Sequence, residues 1–180
     1  IDFNLAKSDS VWGSDDDTDI EYMYQELILE NDNLRLRPNQ IRDGWLKHIS
    51  KEEENFLWVS NQKAFDLMQE GFLPPETSNP KNNQFYEMID AQLTTEIFGL
   101  YSPNYPGVGL SMAYLPIRTV ARENAAWISE FYIIMHSIAS LETSHKNIKG
   151  KVFWMSEQAR KVLPNASYSA KMYDYVKSKY

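Results

Sequence analysis

Four of the nine residues in Gly13-Ser14-Asp15-Asp16-Asp17-Thr18-Asp19-Ile20-Glu21 are aspartates, and three of them are consecutive. Adjacent carboxylates repel one another, and a cation relieves that repulsion best. Hard divalent ions such as Mg²⁺ and Ca²⁺ take oxygen ligands of this kind. A competing reading is helix-start chemistry. Acids near a helix N-terminus contribute about 0.3–1 kcal/mol each at exposed sites, and Asp is a good capping residue. Capping, however, uses one or two acids. A D-x-[DN]-x-[DN]-G calcium loop is not present.

The cluster opens into an amphipathic run. Ile20, Met23, Tyr24, Leu27 and Ile28 repeat at helical spacing. Thr18 followed by Glu21 has the form of a capping box and predicts a helix beginning at Thr18. The carboxylates are thus expected on the loop that enters a helix.

Trp12 to Glu21, running into that helix, resembles the T-D-D-T segment of the ADP-ribosylglycohydrolase family. A second segment agrees: Ile89-Asp90-Ala91-Gln92-Leu93, then Gly99, Pro103, Met112-Ala113 and the helix from Ala125 to Ala139. It resembles the I-G-A-Q-I…G…P…A form found in part of that family, and the two segments occur in the family's order. The resemblance implies that Asp15, Asp16 and Asp17 hold a binuclear centre of two Mg²⁺ ions, other divalent cations being possible. A carboxylate left partly free would act as catalytic base, Asp16 or Asp17 ahead of Asp15, and the second motif puts Asp90 and Gln92, with Glu96 a turn further on, near the substrate. By themselves, Asp90 and Glu96 also suit an exposed helix face. The implied reaction is metal-dependent hydrolysis of an ADP-ribosyl glycosidic bond, releasing ADP-ribose from a modified protein side chain or small molecule. The alternative is a non-catalytic member of the same fold that binds ADP-ribose or a partner. A third reading makes the carboxylates mere caps in a scaffold protein.

Three departures from the family pattern bear on this. The first ligand position is commonly Thr and is Asp15 here. No His stands near Val120-Ala121, where relatives often carry a Thr/Ser-His pair. No G-x-D-x-D-T-like segment occurs later in the chain. The chain begins at Ile1 and stops at Tyr180 inside a helical pattern. It is therefore expected to be an incomplete segment of a longer domain, the remaining ligands coming from the rest of that domain, even as another chain.

Composition narrows the classes further. With 180 residues, 43% hydrophobic and 24% charged, the chain suits one globular core. A net charge of −7 without a basic stripe argues against nucleic-acid binding. The absence of cysteine excludes disulfides, thiolate metal sites and a Cys nucleophile. No run of about 18 apolar residues marks a membrane span, and no targeting signal is readable.

Periodicity throughout is helical, so residues 1–180 are expected to form a single all-α domain of seven or eight helices. Pro38 is placed at the first turn of a second helix, with Ile41, Trp45 and Ile49 inward. Trp58–Glu70 forms a third, stopped at Gly71. The Pro/Asn-rich stretch 71–83 is a surface connection or a lid. A long helix is expected over Gln84–Tyr101, striped by Phe85, Ile89, Leu93, Ile97 and Leu100. A short one follows, from Tyr105-Pro106 to Leu115. Its G-x-S-x-A at Gly109–Ala113 lacks the strand and partners of a nucleophile elbow. Glu123–Leu141 is the expected core helix, with Trp127, Phe131, Ile134, Met135 and Ile138 inward and His136 a satisfied core residue. Gly150 is read as a break before Val152–Leu163, and Ser167 as the cap of a last, tyrosine-rich helix.

Overall fold

The computed structural model describes residues 15–50, 57–140 and 147–180, and among them every regular element is helical. In chain order these are α1 (Asp16–Asn31), α2 (Pro38–His48), α3 (Val59–Gln69), α4 (Asp90–Thr94), α5 (Ile97–Leu100), α6 (Pro106–Val120), α7 (Glu123–Ile138), α8 (Ile148–Ala159) and α9 (Tyr168–Lys177). Short 3₁₀ turns occupy Glu76–Ser78 and Arg160–Val162. The expected all-α bundle is what the chain forms. Trp12-Gly13-Ser14, residues 51–54 and Leu141 lie outside the described residues.

One core draws on seven helices. Tyr24 and Leu27 of α1 meet Ile41 and Trp45 of α2, Phe65 of α3, Phe98 of α5 and Ile117 of α6. The Trp45 indole N–H donates to the Tyr24 hydroxyl at 3.3 Å, so the largest buried side chain carries its polar atom satisfied. Gly44, an unfavourable residue inside a helix, has a packing reason: a Cβ there would stand 2.4 Å from Leu27 Cδ1. Helices α8 and α9 pack on α7.

Helix α1 starts two residues before the expected Thr18. Asp15 is the cap, its carboxylate accepting from the Thr18 N–H at 3.4 Å. A carboxylate caps better than a threonine hydroxyl, and Thr18 is left exposed on the first turn. Glu21 is free of the capping box and instead accepts from the Ile97 N–H at 2.9 Å.

The expected long helix over 84–101 does not form. Asn83 Oδ1 takes the Phe85 N–H at 3.0 Å, holding a turn. The Thr94 and Thr95 hydroxyls bond the Asp90 and Ala91 carbonyls, the back-bonding by which threonine competes with helix continuation. Glu21 then takes the Ile97 amide. The result is two short helices, α4 and α5, and the expected stripe fails with them: Ile89 and Leu100 are exposed.

Helix α6 runs past Leu115 to Val120, through Pro116. Helix α7 turns a different face inward than expected. Ala125, Ala126, Ser129, Ile133 and Ser137 are buried with Ile138, while Trp127, Phe131, Ile134 and Met135 are only partly covered. Small residues allow close approach. A Cβ on Gly99 would lie 2.5 Å from the Ile133 carbonyl oxygen, and one on Gly109 2.4 Å from Ser102 Oγ. Gly150 breaks nothing; it sits in the first turn of α8, its N–H held by the Asn147 cap at 2.7 Å. Ser167 caps α9 as expected, accepting from the Ala170 N–H at 3.1 Å.

The stretch 71–83 is a tied connection. Thr77, Ser78 and Asn83 are fully buried. The Thr77 and Ser78 hydroxyls donate to the Thr119 and Arg118 carbonyls at 2.7 and 2.6 Å, satisfying the otherwise open end of α6. Arg122 adds bonds to Ser78 Oγ and the Pro75 carbonyl. Thr77→Val should leave the Thr119 carbonyl buried and unpaired, a cost of about 1–2 kcal/mol. Urea unfolding is expected to show an earlier midpoint with an unchanged slope; an unmoved midpoint would mean the stretch is not a fastening.

Candidate metal and active site

The three consecutive aspartates part company as soon as α1 begins. Asp15 is exposed and spent on its cap. Asp16 is only 5% exposed and points inward. Its Oδ2 accepts from the Trp58 N–H at 2.7 Å and from Asn61 Nδ2 at 2.8 Å, so it caps the head of α3 from across the fold. Asp17 lies between, partly covered at the rim.

Asp90 joins them from α4. It is 1% exposed, and neither carboxylate oxygen has a hydrogen-bond partner of good geometry; Asp16 Oδ1 likewise has none. Burial pushes the Asp90 carboxyl up and the Asp16 charge adds to it, while the Ser60 hydroxyl and nearby backbone N–H groups pull the other way. The alternative reading of Asp90 on an exposed helix face is thereby corrected: the residue is interior. The reason is the collapse of the long helix, which turns the first residue of α4 toward α1, against which α4 packs.

Asp17 responds to all of them. Its carboxyl is pushed up to about 6, first by burial, then by Asp16, Asp15, Asp90 and Glu21. The sign of the pH dependence follows. Between the ordinary 3.8 and about 6, the folded chain holds this proton more tightly than the unfolded chain. Cation-free stability therefore rises as pH falls through that window, and the charge penalty is fully present at pH 7. Asp17→Asn is expected to raise the cation-free thermal midpoint at pH 7 and to change it little near about pH 4. Equal midpoints at pH 7 would show that burial and like charge do not penalise the ionised Asp17.

Gln92 and Glu96 go elsewhere. Gln92 faces a separate cavity of about 850 Å³, lined with Ile89, Phe131, Tyr132, Tyr168 and Tyr173 between α7 and α9. Helix α4 thus carries Asp90 to one side and Gln92 to another. Glu96 stands 3.6 Å from His136 Nε2. It neighbours Glu21, whose carboxyl is raised by burial and by Glu96 and lowered by the Ile97 amide and His136. Since Glu21 lies one turn along α1 from Asp17, an acidic ridge runs Asp17–Glu21–Glu96 and ends on His136.

Four residues of this constellation escaped the sequence reading: Glu21 as part of the ridge, His136, Ser60 and Asn61. His136 is half-exposed beside Glu96, not a core residue. Its approach depends on the glycine crossing at Gly99, which no local motif signals. The i, i+4 spacing of Asp17 and Glu21 was the one available clue.

The donor set suits a hard cation, because buried carboxylate oxygens without partners stand beside a rim carboxylate with raised proton affinity. Among the described residues, no group of three or more His, Asp or Glu side chains is arranged in ligating geometry. The chain matches no protein-family model, and no curated protein and no solved structure is significantly similar to it.

Proposed function

We propose that the chain is the acidic, cation-binding part of a hydrolase acting on an ADP-ribosyl glycosidic bond. The observation that carries the reading is the raised proton affinity of Asp17, caused first by burial and then by four neighbouring carboxylates. The resemblance of the Asp15–Glu21 and Ile89–Gln92 segments to ADP-ribosylglycohydrolases supplies the substrate class. Asp16 and Asp17, with Asp15 if it leaves its cap, would hold Mg²⁺, the pair of ions that the family pattern implies. Bound metal supplies charge that orients ribose oxygens and acidifies water.

The roles of the chain's own residues differ. Asp17 is partly open and poised near neutrality, which suits a group that takes a proton from water as it attacks the anomeric carbon. Asp16 is fixed by two hydrogen bonds and buried, which suits a rigid ligand and not a proton carrier. Glu21 and Glu96 extend the negative field. Glu96 with His136, at the end of the ridge, would be the assembly that exchanges a proton with a leaving group.

The departure at Asp15 and the missing convergence of three ligands favour a second reading, in which the same site binds ADP-ribose without turnover. A hydrolysis assay separates the two. With Mg²⁺ and an ADP-ribosylated protein or small molecule, the first reading expects free ADP-ribose, abolished by chelator and by Asp17→Asn. Binding without release would select the second. Because the resemblance expects further ligands from beyond this segment, the assay includes the chain in its longest available form.

A further inference from the structure

Among the described residues, five buried side-chain oxygen atoms lack a hydrogen-bond partner: Asp16 Oδ1, Ser60 Oγ, Asn61 Oδ1, and both oxygens of Asp90. They belong to four residues, and those four are neighbours. Asn61 donates to Asp16 at 2.8 Å; the Ser60 hydroxyl and the Asn61 backbone N–H approach the Asp90 carboxyl as donors without good hydrogen-bond geometry, and the Asp16 charge acts on it. Ser60 and Asn61 are fully buried, Asp90 very nearly so. The residues come from the first turns of α1, α3 and α4. Buried unpaired polar atoms are costly, and native interiors rarely keep several together.

Charge decides what would satisfy them. With both carboxyls ionised, four of the five atoms are pure acceptors, and only the Ser60 hydroxyl can also donate. Two of the residues are carboxylates, and among the described residues no ion pair reaches Asp16 or Asp90. A buried water could donate two hydrogen bonds, but it would leave the paired negative charge uncompensated. A hard cation takes acceptor oxygens alone and neutralises both carboxylates. Calcium accepts six to eight such oxygens, mixing carboxylate, amide and hydroxyl or water donors, and tolerates irregular geometry. Magnesium demands octahedral ligation and keeps its waters.

We propose that Asp16, Ser60, Asn61 and Asp90 form an interior site for a divalent hard cation of calcium type, which ties the heads of α1, α3 and α4 together. The site shares Asp16 with the rim cluster but needs neither Asp17 nor any reaction there. Its role is structural: it holds α4 against α1 and so sets where Asp17 and Glu21 stand.

The test is calorimetric titration of the full chain with CaCl₂, together with thermal unfolding in CaCl₂, MgCl₂ or chelator. Wild type is expected to show a saturable Ca²⁺ event that Asp17→Asn retains, with a midpoint several degrees higher than in chelator. Asp90→Asn removes a buried charge. In chelator it should melt no lower than wild type, yet lose at least tenfold in Ca²⁺ affinity. Ser60→Ala, a milder change, should keep the fold and weaken the calcium response, which guards against a variant that fails to fold. Asp17→Asn should keep the calcium shift even where it abolishes ADP-ribose release, so the two sites fail separately. A wild-type midpoint indifferent to millimolar calcium overturns the proposal. So does a calcium response that survives in Asp90→Asn and disappears in Asp17→Asn.

Discussion

Gly99→Ala is expected to lower stability by about 3 kcal/mol, at the upper end of ordinary overpacking effects. The added Cβ would stand 2.5 Å from the Ile133 carbonyl oxygen and 2.7 Å from His136 Cβ. The first of these is backbone, and a helix backbone cannot step aside as a side-chain tip can. Relief requires α5 and α7 to part, and α7 is the helix on which α4, α5, α6, α8 and α9 all rest. The same movement would draw His136 away from Glu96. The control is Gly107→Ala in the first turn of α6, where a Cβ meets nothing within 4 Å. Replacing a flexible glycine there should gain about 0.5–1 kcal/mol. Urea unfolding of both variants reads the difference directly. Similar midpoints for the two would show that α7 does not cross at Gly99 as closely as described.

Asp16→Ala should be nearly as damaging, and for a different reason. The substitution strips the Trp58 N–H and Asn61 Nδ2 of their acceptor, and the head of α3 loses a cap made from 42 residues away. Two buried or half-buried donors left open cost about 1–3 kcal/mol each. Some of that is returned, because Asp17 and Asp90 lose a like charge. A net loss of about 2 kcal/mol is expected. Asp16→Asn keeps an acceptor oxygen for both donors while removing the charge, so it should fold close to wild type. The pair therefore separates the structural task of Asp16 from its ionic one: both variants should lose cation binding, and only the alanine should lose substantial stability. If Asp16→Asn proved as unstable as Asp16→Ala, charge and not hydrogen bonding would hold α3 in place.

The positions of most helices could be read from local chemistry. Pro38 opens α2, Gly71 follows α3 with a φ of 96°, and Ser167 caps α9, each for reasons contained within a few residues. What could not be read depended on contacts between distant segments. The helix expected over 84–101 has the right stripe, but Glu21, 76 residues from Ile97, takes an amide that its continuation would need. The aromatic side of α7 looked like the core face by size alone. Close packing against Gly99 and Gly109 chose the side of Ala125, Ser129 and Ile133 instead.

The candidate site shows the same division. Three aspartates in a row announced a carboxylate cluster. Their separation into a cap, a buried strut and a rim acid depended on where α3 and α4 lie. Asp90 is singled out by motif resemblance, but its burial depends on the packing of α4 against α1, which no local motif signals. Gln92 and Glu96, grouped with it in sequence, face different surroundings because α4 is a single turn followed by a break at Thr94-Thr95.

The claim on which the account turns is that the head of α1 is a cation centre serving an ADP-ribosyl ligand. The measurement that tests it most directly is calorimetric titration of the chain with Mg²⁺ and then ADP-ribose, beside the double variant Asp16→Asn, Asp17→Asn. Saturable Mg²⁺ binding is expected, with ADP-ribose binding that requires the metal. Both should be lost in the double variant while its helical circular dichroism and unfolding midpoint are kept. A folded wild-type chain that binds neither Mg²⁺ nor ADP-ribose, in this form and in its longest available form, would contradict it. The aspartates of α1 would then be a helix cap and a strut for α3.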